Sequence, residues 1–242
     1  MNFLINKVFS ALKKYSMLES GDDVAVALSG GKDSLTLLYT LAKIKEYYPE
    51  KFSIKALFLD MMFNGEPLVS TRLNNLKNFC DSLGVPFFVK SAKLWDLIFV
   101  ERKEKSPCSL CSRMRKGILN DAATKLGCNK IALGHHFDDA VETLILNLFY
   151  NGKFNCFLPV TYLSRKNITM IRPLFFCKES SIISFSKKLS FPVLKNECPM
   201  DKNTKRQKVK EILALIEENI SKDAKKRLFD SFFRNSSFTD DL

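Results

Sequence analysis

Residues 24–34 read VAVALSGGKDS. Val24 to Leu28 is an uninterrupted apolar run, which suits a strand covered on both faces, and such strands belong to parallel sheets flanked by helices. Ser29-Gly30-Gly31 forms a turn. Ser34 to Tyr48, SLTLLYTLAKIKEYY, then places apolar residues at helical spacing without a breaker. The predicted unit is strand, glycine-rich loop, helix. Two glycines let the backbone approach an anion closely, and the helix start points free N–H groups and the positive end of its dipole at it. An ordinary tight turn explains SGGKDS poorly, because Lys32 and Asp33 gain little from packing there. The loop is neither G-x-x-x-x-G-K-[ST] nor G-x-G-x-x-G. It still predicts a phosphate site, formed by Ser29, Gly30, Gly31, Lys32, Asp33 and Ser34.

Two further strands end in polar residues: Ile54 to Leu59 runs into Asp60, and Lys130 to Leu133 runs into Gly134-His135-His136. In an open parallel sheet, ligands bind beyond the carboxyl ends of the strands. Ser29, Asp60 and Gly134 should then line one crevice, with Asp60 accepting from a ribose or base unless it merely caps its strand. After His136 a helix begins, with Asp138 and Asp139 in its first turn and Glu142 one turn on. Acids there suit the helix dipole. But both histidines of the chain lie beside these three carboxylates, next to a phosphate loop. That grouping suits Mg²⁺, which uses few protein ligands, and a general base. His135, Asp138 and Asp139 are the candidate catalytic groups.

The chain has 242 residues, 46% of them hydrophobic, enough for a substantial core. The longest uncharged run near the middle, between Lys153 and Arg165, is too short to span a bilayer. The N-terminal MNFLINKVFSALKKYSML reads as a helix packed on the domain, since it lacks the Arg/Ser bias and cleavage site of a transit peptide. The protein is expected to be soluble and cytoplasmic, with no membrane partner. The formal charge is +12, and residues 153–242 hold 18 basic against 10 acidic groups. A basic C-terminal part on a nearly neutral body points to a polyanion, nucleic acid before membrane, or else to a lysine-rich surface that serves solubility.

Seven cysteines without a secretory signal favour reduced thiols or metal ligands over a disulfide framework. Two of them, Cys108 and Cys111, stand at C-x-x-C spacing in KSPCSLCSRMRKG, with Lys105, Arg113, Arg115 and Lys116 around them. Nearby cations favour thiolates. The spacing alone leaves a zinc knuckle, a redox dithiol, an iron–sulfur site and coincidence open. Cys80, Cys156 and Cys177 lie among apolar residues and Cys128 precedes a strand, whereas Cys198 sits in a polar turn, KNECPMDKN.

Taken together, SGGKDS, PCSLC and GHHFDDAVET resemble the PP-loop ATP pyrophosphatases, and within them the tRNA 2-thiocytidine synthetase (TtcA-like) branch. The resemblance runs from about Gly21 to Gly152 and resumes at IRPL and ECPMDKNTKRQ. It implies an α/β fold, a parallel sheet flanked by helices of the adenine nucleotide α-hydrolase type, with helical N- and C-terminal additions. It divides the chain into an N-terminal helix (1–20), a PP-loop ATP-binding catalytic domain (21–195) and a basic helical extension (196–242). The implied reaction uses ATP to adenylate the 2-oxygen of an anticodon-loop cytidine in tRNA, after which sulfur displaces AMP. The implied cofactors are ATP, Mg²⁺ and a [4Fe-4S] cluster held by Cys108, Cys111 and Cys198. Many members carry a second C-x-x-C at the last position; here Asp201 follows instead. Implied partners are tRNA and a sulfur donor such as a cysteine desulfurase. The oligomeric state is open, a homodimer being one option. Two rivals remain: a lysidine-synthetase-like ligase, which has no use for the cysteines, and a zinc-stabilised module that binds ATP and RNA without turnover.

Overall fold

The computed structural model describes residues 3–102, 107–195, 198 and 204–233; Lys105 and Asp201 lie outside them. Six strands form one sheet: β1 (Asp23–Leu28), β2 (Ser53–Asp60), β3 (Phe87–Ser91), β4 (Lys130–Ala132), β5 (Val160–Leu163) and β6 (Ile168–Ile171). Their order is β3-β2-β1-β4-β6-β5. Five strands run parallel, as the apolar run in β1 predicts, and Val24, Ala25 and Val26 are fully buried. β5 departs from that expectation by pairing antiparallel with β6. The link between them, Ser164 to Asn167, is too short for a parallel crossover, and Asn167 closes it in the left-handed region at φ +48°.

The helices are α1 (Phe3–Lys14), α2 (Lys32–Lys45), α3 (Ser70–Ser82), α4 (Pro107–Lys125), α5 (Phe137–Asn151), α6 (Glu179–Lys188), α7 (Lys205–Asn219) and α8 (Ala224–Phe233). α1 lays Leu4, Val8, Ala11 and Leu12 into a core shared with α2 and α6. α4 closes the other face through Leu119 and Ala123. A third apolar cluster joins α5 to the two C-terminal helices through Leu144, Val209, Leu213 and Phe229. Among the described residues no helix is long and apolar enough to cross a membrane.

Chain order reverses between β1 and β4. The connections from β1 lead away through α2 and β2, while β4 lies on the opposite side of β1. Loops leaving the two strands therefore part at their carboxyl ends and open a crevice, the usual ligand position in such sheets. The crevice receives Ser29–Lys32 from β1 and Gly134–His136 from β4.

Candidate functional site

The loop after β1 is held by its own serines. Ser34 Oγ accepts from the Ser29 amide at 3.1 Å and donates to the Gly31 carbonyl at 3.0 Å, and Ser29 Oγ lies 3.1 Å from it. The two glycines differ in what they do. Gly30 has φ +77°, and a Cβ there would stand 2.6 Å from Leu194 Cδ1, while its carbonyl accepts from the Leu194 amide at 2.9 Å. Gly31 has φ −78°, and a Cβ would meet only Ser29 Oγ at an ordinary 3.4 Å. The fold thus needs a glycine at 30, and the absence of a side chain at 31 serves whatever approaches the loop. Gly30→Ala is expected to lower stability by about 1–3 kcal/mol. Gly31→Val is expected to leave the melting temperature nearly unchanged and to weaken ATP binding by about tenfold or more, because its branched side chain covers the amides at the start of α2. Denaturant melts and calorimetry separate the two effects. Unchanged ATP affinity in Gly31→Val contradicts the phosphate-loop assignment.

Lys32 reaches across the crevice mouth to Asp33 at 3.0 Å and Glu179 at 3.1 Å. Burial works against its charge, but these two carboxylates outweigh it and the ammonium is held above its ordinary pKa. Burial would likewise raise the Glu179 carboxyl; hydrogen bonds from Lys210 and Lys32 instead hold it at about 2. Asp33 gives one oxygen to Lys32. The other, Oδ1, is buried without a hydrogen bond and lies 3.7 Å from His136 Nε2. A buried carboxylate oxygen without a donor is a suitable ligand for a hard cation or its bound water.

At the end of β4, Gly134 packs so tightly on α2 that a Cβ would stand 3.2 Å from the Ser34 amide. His136 caps α5 by accepting from the Asp139 amide at 3.4 Å, and its own amide donates to Asp139 Oδ2 at 3.0 Å. His135 Nδ1 accepts from Arg172 Nε at 3.3 Å, and its ring stacks on Phe157. Burial pushes the His135 imidazole down to about 3, with Asp139 pulling the other way and Arg172, Arg206 and Lys116 adding to the drop. The ring is therefore neutral at physiological pH, and with Nδ1 occupied as acceptor its proton sits on Nε2. His135 is thus a neutral imidazole whose Nε2–H can donate a hydrogen bond.

The neighbouring carboxylates separate. Asp139 Oδ1 accepts from Arg206 at 2.7 Å, and the residue faces open space. Asp138 does not: its Oδ2 accepts from the Glu179 amide at 2.7 Å and its Oδ1 pairs with Lys225 at 3.5 Å. These contacts tie α5 to α6 and α8 and give no support to the catalytic role expected for it. Asp60 is engaged as well. Its two oxygens accept from the Met62 and Leu68 amides, both at 3.0 Å, the strand-end cap that the sequence leaves open beside a ribose or base contact. Glu142 lies 3.6 Å from Arg206; burial pushes its carboxyl up to about 7, with Arg206 opposing and Asp139 reinforcing the rise.

Two chambers meet here. One, of about 500 Å³, is lined by Ser29, Ser34, Gly134, His135, Arg115 and Lys116, with Ala27, Met61, Phe63 and Leu133 as apolar wall. The other, of about 780 Å³, is lined by Lys32, Glu142, Glu179, Lys205, Arg206 and Lys210. Asp33, Cys108, Asp139 and Thr204 line both, so they mark the passage between the two.

The three singled-out cysteines open into the smaller chamber. Pro107 starts α4, a favoured first helical position, and the i, i+3 spacing sets Cys108 and Cys111 on one face. None of the seven cysteines is in a disulfide; Cys80 and Cys177 are fully buried and Cys128 and Cys156 nearly so. The basic surroundings do not lower the two helical thiols as expected. Burial pushes Cys108 up and the Cys198 thiolate adds to it. Burial does the same at Cys111, where Arg115 opposes it and Cys198 and Cys108 reinforce it. Cys198 thus acts on both helical thiols, which places the three sulfurs in one electrostatic neighbourhood, the situation that positive iron relieves. Among the described residues no three His, Cys, Asp or Glu side chains are gathered to grip a single metal ion. Cys108, Cys111 and Cys198 line one chamber, and thiolates are the donors that an iron–sulfur cluster takes, so the donor set present fits that group.

Sequence reasoning assigned no role to Arg172 or Glu179. Arg172 is 2% exposed, donates to the Leu158 carbonyl and to Thr161 Oγ1, and fixes the His135 tautomer. Its signal was an arginine inside the apolar run MIRPLFF.

A profile of the PP-loop domain matches residues 4–216. The tRNA-cytidine(32) 2-sulfurtransferase of Dechloromonas aromatica is 38% identical over 213 residues, spanning 87% of this chain and 72% of that protein. The protein of the same name from Haemophilus ducreyi is 42% identical over 212 residues, spanning 87% of this chain and 66% of its own length. Among solved structures, the U34-tRNA thiolase NcsA from Methanococcus maripaludis, which carries a [4Fe-4S] cluster, shares the fold with a TM-score of 0.77 over 99% of this chain and 82% of that one, at 22% identity. The chain belongs to the PP-loop family, in the branch of the tRNA-cytidine(32) 2-sulfurtransferases.

Proposed function

We propose that this protein is an ATP-dependent tRNA sulfurtransferase. It adenylates the 2-oxygen of an anticodon-loop cytidine, at position 32 as in the named relatives, and replaces that oxygen with sulfur. The observation that carries the proposal is the shared chamber: Ser29, Asp33 and Ser34 of the phosphate loop and all three thiols line one cavity of about 500 Å³. Activation and sulfur transfer act on the same carbon, so the two sets of groups must reach one substrate atom.

In this reading the amides at Gly31 and the start of α2 hold the ATP phosphates, and Lys32 neutralises them after releasing Glu179. The apolar wall of the smaller chamber accepts the adenine. Asp33 and Asp139 are the carboxylates that would hold Mg²⁺, which supplies charge neutralisation on the phosphates. The cytidine 2-oxygen attacks the α-phosphorus and pyrophosphate leaves. A sulfide then adds to C2, and AMP departs with the oxygen. His135 Nε2–H donates to an oxygen that gains charge in these steps. Cys108, Cys111 and Cys198 would hold the [4Fe-4S] cluster, which supplies an iron able to carry sulfide because three thiolates leave one corner open. Arg115 and Lys116 neutralise phosphate beside it. A sulfur donor, such as a cysteine desulfurase, must feed the site. A ligase that attaches an amine to the activated cytidine would leave the three thiols without a role.

The test is anaerobic incubation of the iron-reconstituted protein with tRNA, ATP, Mg²⁺ and sulfide, followed by nucleoside analysis. The expected product is 2-thiocytidine, dependent on ATP. Activation of the cytidine without any sulfur incorporation would sink the proposal.

A further inference from the structure

The two ends of α5 differ in character. Its first turns present Asp139 and Glu142 to the larger chamber, and Leu146, one turn further on, lines the same space. Continuing along that face at helical spacing come Phe149 and Tyr150, and the loop beyond adds Phe154. These rings are 65%, 49% and 55% exposed. Packing gives no reason to bare three neighbouring aromatic side chains, and such strips mark interaction surfaces. The strip adjoins the chamber: Lys205, one of its lining residues, holds Nζ 4.1 Å from the centre of the Tyr150 ring. Phe154 is anchored from behind by Phe232 of α8, with ring centres 5.2 Å apart.

The segment that carries the strip is free of acids: no carboxylate occurs between Glu142 and Glu179, Lys153 lies within it, and Lys205 stands against Tyr150. From Asp139 to Tyr150 the helix rises about 16 Å, a distance spanned by neighbouring nucleotides of one strand. A base that enters a catalytic pocket must leave its stack, and its neighbours lose a stacking partner. Aromatic rings beside cations are the usual replacement in single-stranded RNA recognition.

We propose that Tyr150, with Phe149 and Phe154, is a stacking platform for a loop nucleotide adjacent to the one being modified, and that Lys153 and Lys205 hold its phosphates. The proposal rests on the larger chamber being the RNA entrance. The platform is tolerant of sequence, because every base offers a π-face, and it fixes how far the target reaches into the crevice.

The test uses the full chain and an anticodon stem–loop RNA, with affinity followed by fluorescence anisotropy at two salt concentrations. Phe149→Ala/Tyr150→Ala is expected to bind about tenfold or more weakly at both. Its salt dependence should match the wild type, because no cation has been removed. ATP affinity should be unchanged, and Tyr150→Trp should retain RNA binding. A double variant that binds RNA as tightly as the wild type overturns the platform while leaving the enzymatic reading standing. A wild-type protein that fails to bind the stem–loop overturns both. Loss of a dimer in sedimentation, with RNA affinity per chain unchanged, also overturns it and assigns the strip to contact between two copies.

Discussion

Cys198→Ala is expected to lose bound iron and tRNA thiolation together while keeping ATP affinity within about threefold of the wild type. The expectation follows from the site's layout. Cys108 and Cys111 sit on one face of the first turns of α4, and Cys198 approaches the same chamber from a different segment. Two thiolates on one helix fix only one side of a cubane, so removal of the third leaves the cluster without its opposing anchor. The iron content after anaerobic reconstitution should fall from about four per chain to near zero. The loop at Ser29–Ser34 is held by its own serine network, which the substitution leaves intact. Cys80→Ala and Cys177→Ala should keep iron and activity, at about 1–2 kcal/mol of stability each, since both side chains are fully buried in the core below α2. A Cys198→Ala protein that still holds about four irons and still thiolates tRNA would refute the three-cysteine assignment.

The parts of the site legible in the sequence are those whose chemistry is local. VAVALSGGKDS specifies a buried strand, a turn and a helix start within eleven consecutive residues, and the structure forms all three there. β5 and β6 are short, and their antiparallel pairing depends on a tight turn with a left-handed asparagine, a weak signal in an apolar and basic stretch. Carboxylates were harder to assign, for a physical reason. An aspartate at a strand end or in a first helical turn is favoured there whichever way it points. Asp60 points back to its own loop, Asp138 to α6 and α8, and only Asp139 turns to the passage. Arg172 and Glu179 act across long sequence separations, on His135 and on Lys32, and no local pattern encodes such pairs. The raised thiols have the same origin: the sequence shows cations beside Cys111, but burial and the distant Cys198 outweigh them.

The same substitution at two adjacent aspartates is expected to give opposite results. Asp139→Asn should lower ATP-dependent activation of tRNA by about a hundredfold or more. Its Oδ2 receives the His136 amide, a bond that an asparagine oxygen can still accept, so the cap of α5 survives. What disappears is the charge, which in this structure meets Arg206 at 2.7 Å and which would hold Mg²⁺ when nucleotide is bound. An amide cannot neutralise either cation, and the defect should be partly masked at high Mg²⁺ concentration. Asp138→Asn removes an equal charge one residue earlier. Its oxygen can still accept from the Glu179 amide, and the lost attraction to Lys225 acts over 3.5 Å. That variant should lose about 1–3 kcal/mol of stability, since the pair is largely buried but Lys225 keeps Glu217 at 2.9 Å, and should keep activation within a few-fold of the wild type. Rates measured over a range of Mg²⁺ concentrations, alongside denaturant melts, distinguish the two positions. Equal loss of activity in both variants would mean that Asp138 also meets the substrate or its metal, and would restore the role that its contacts argue against.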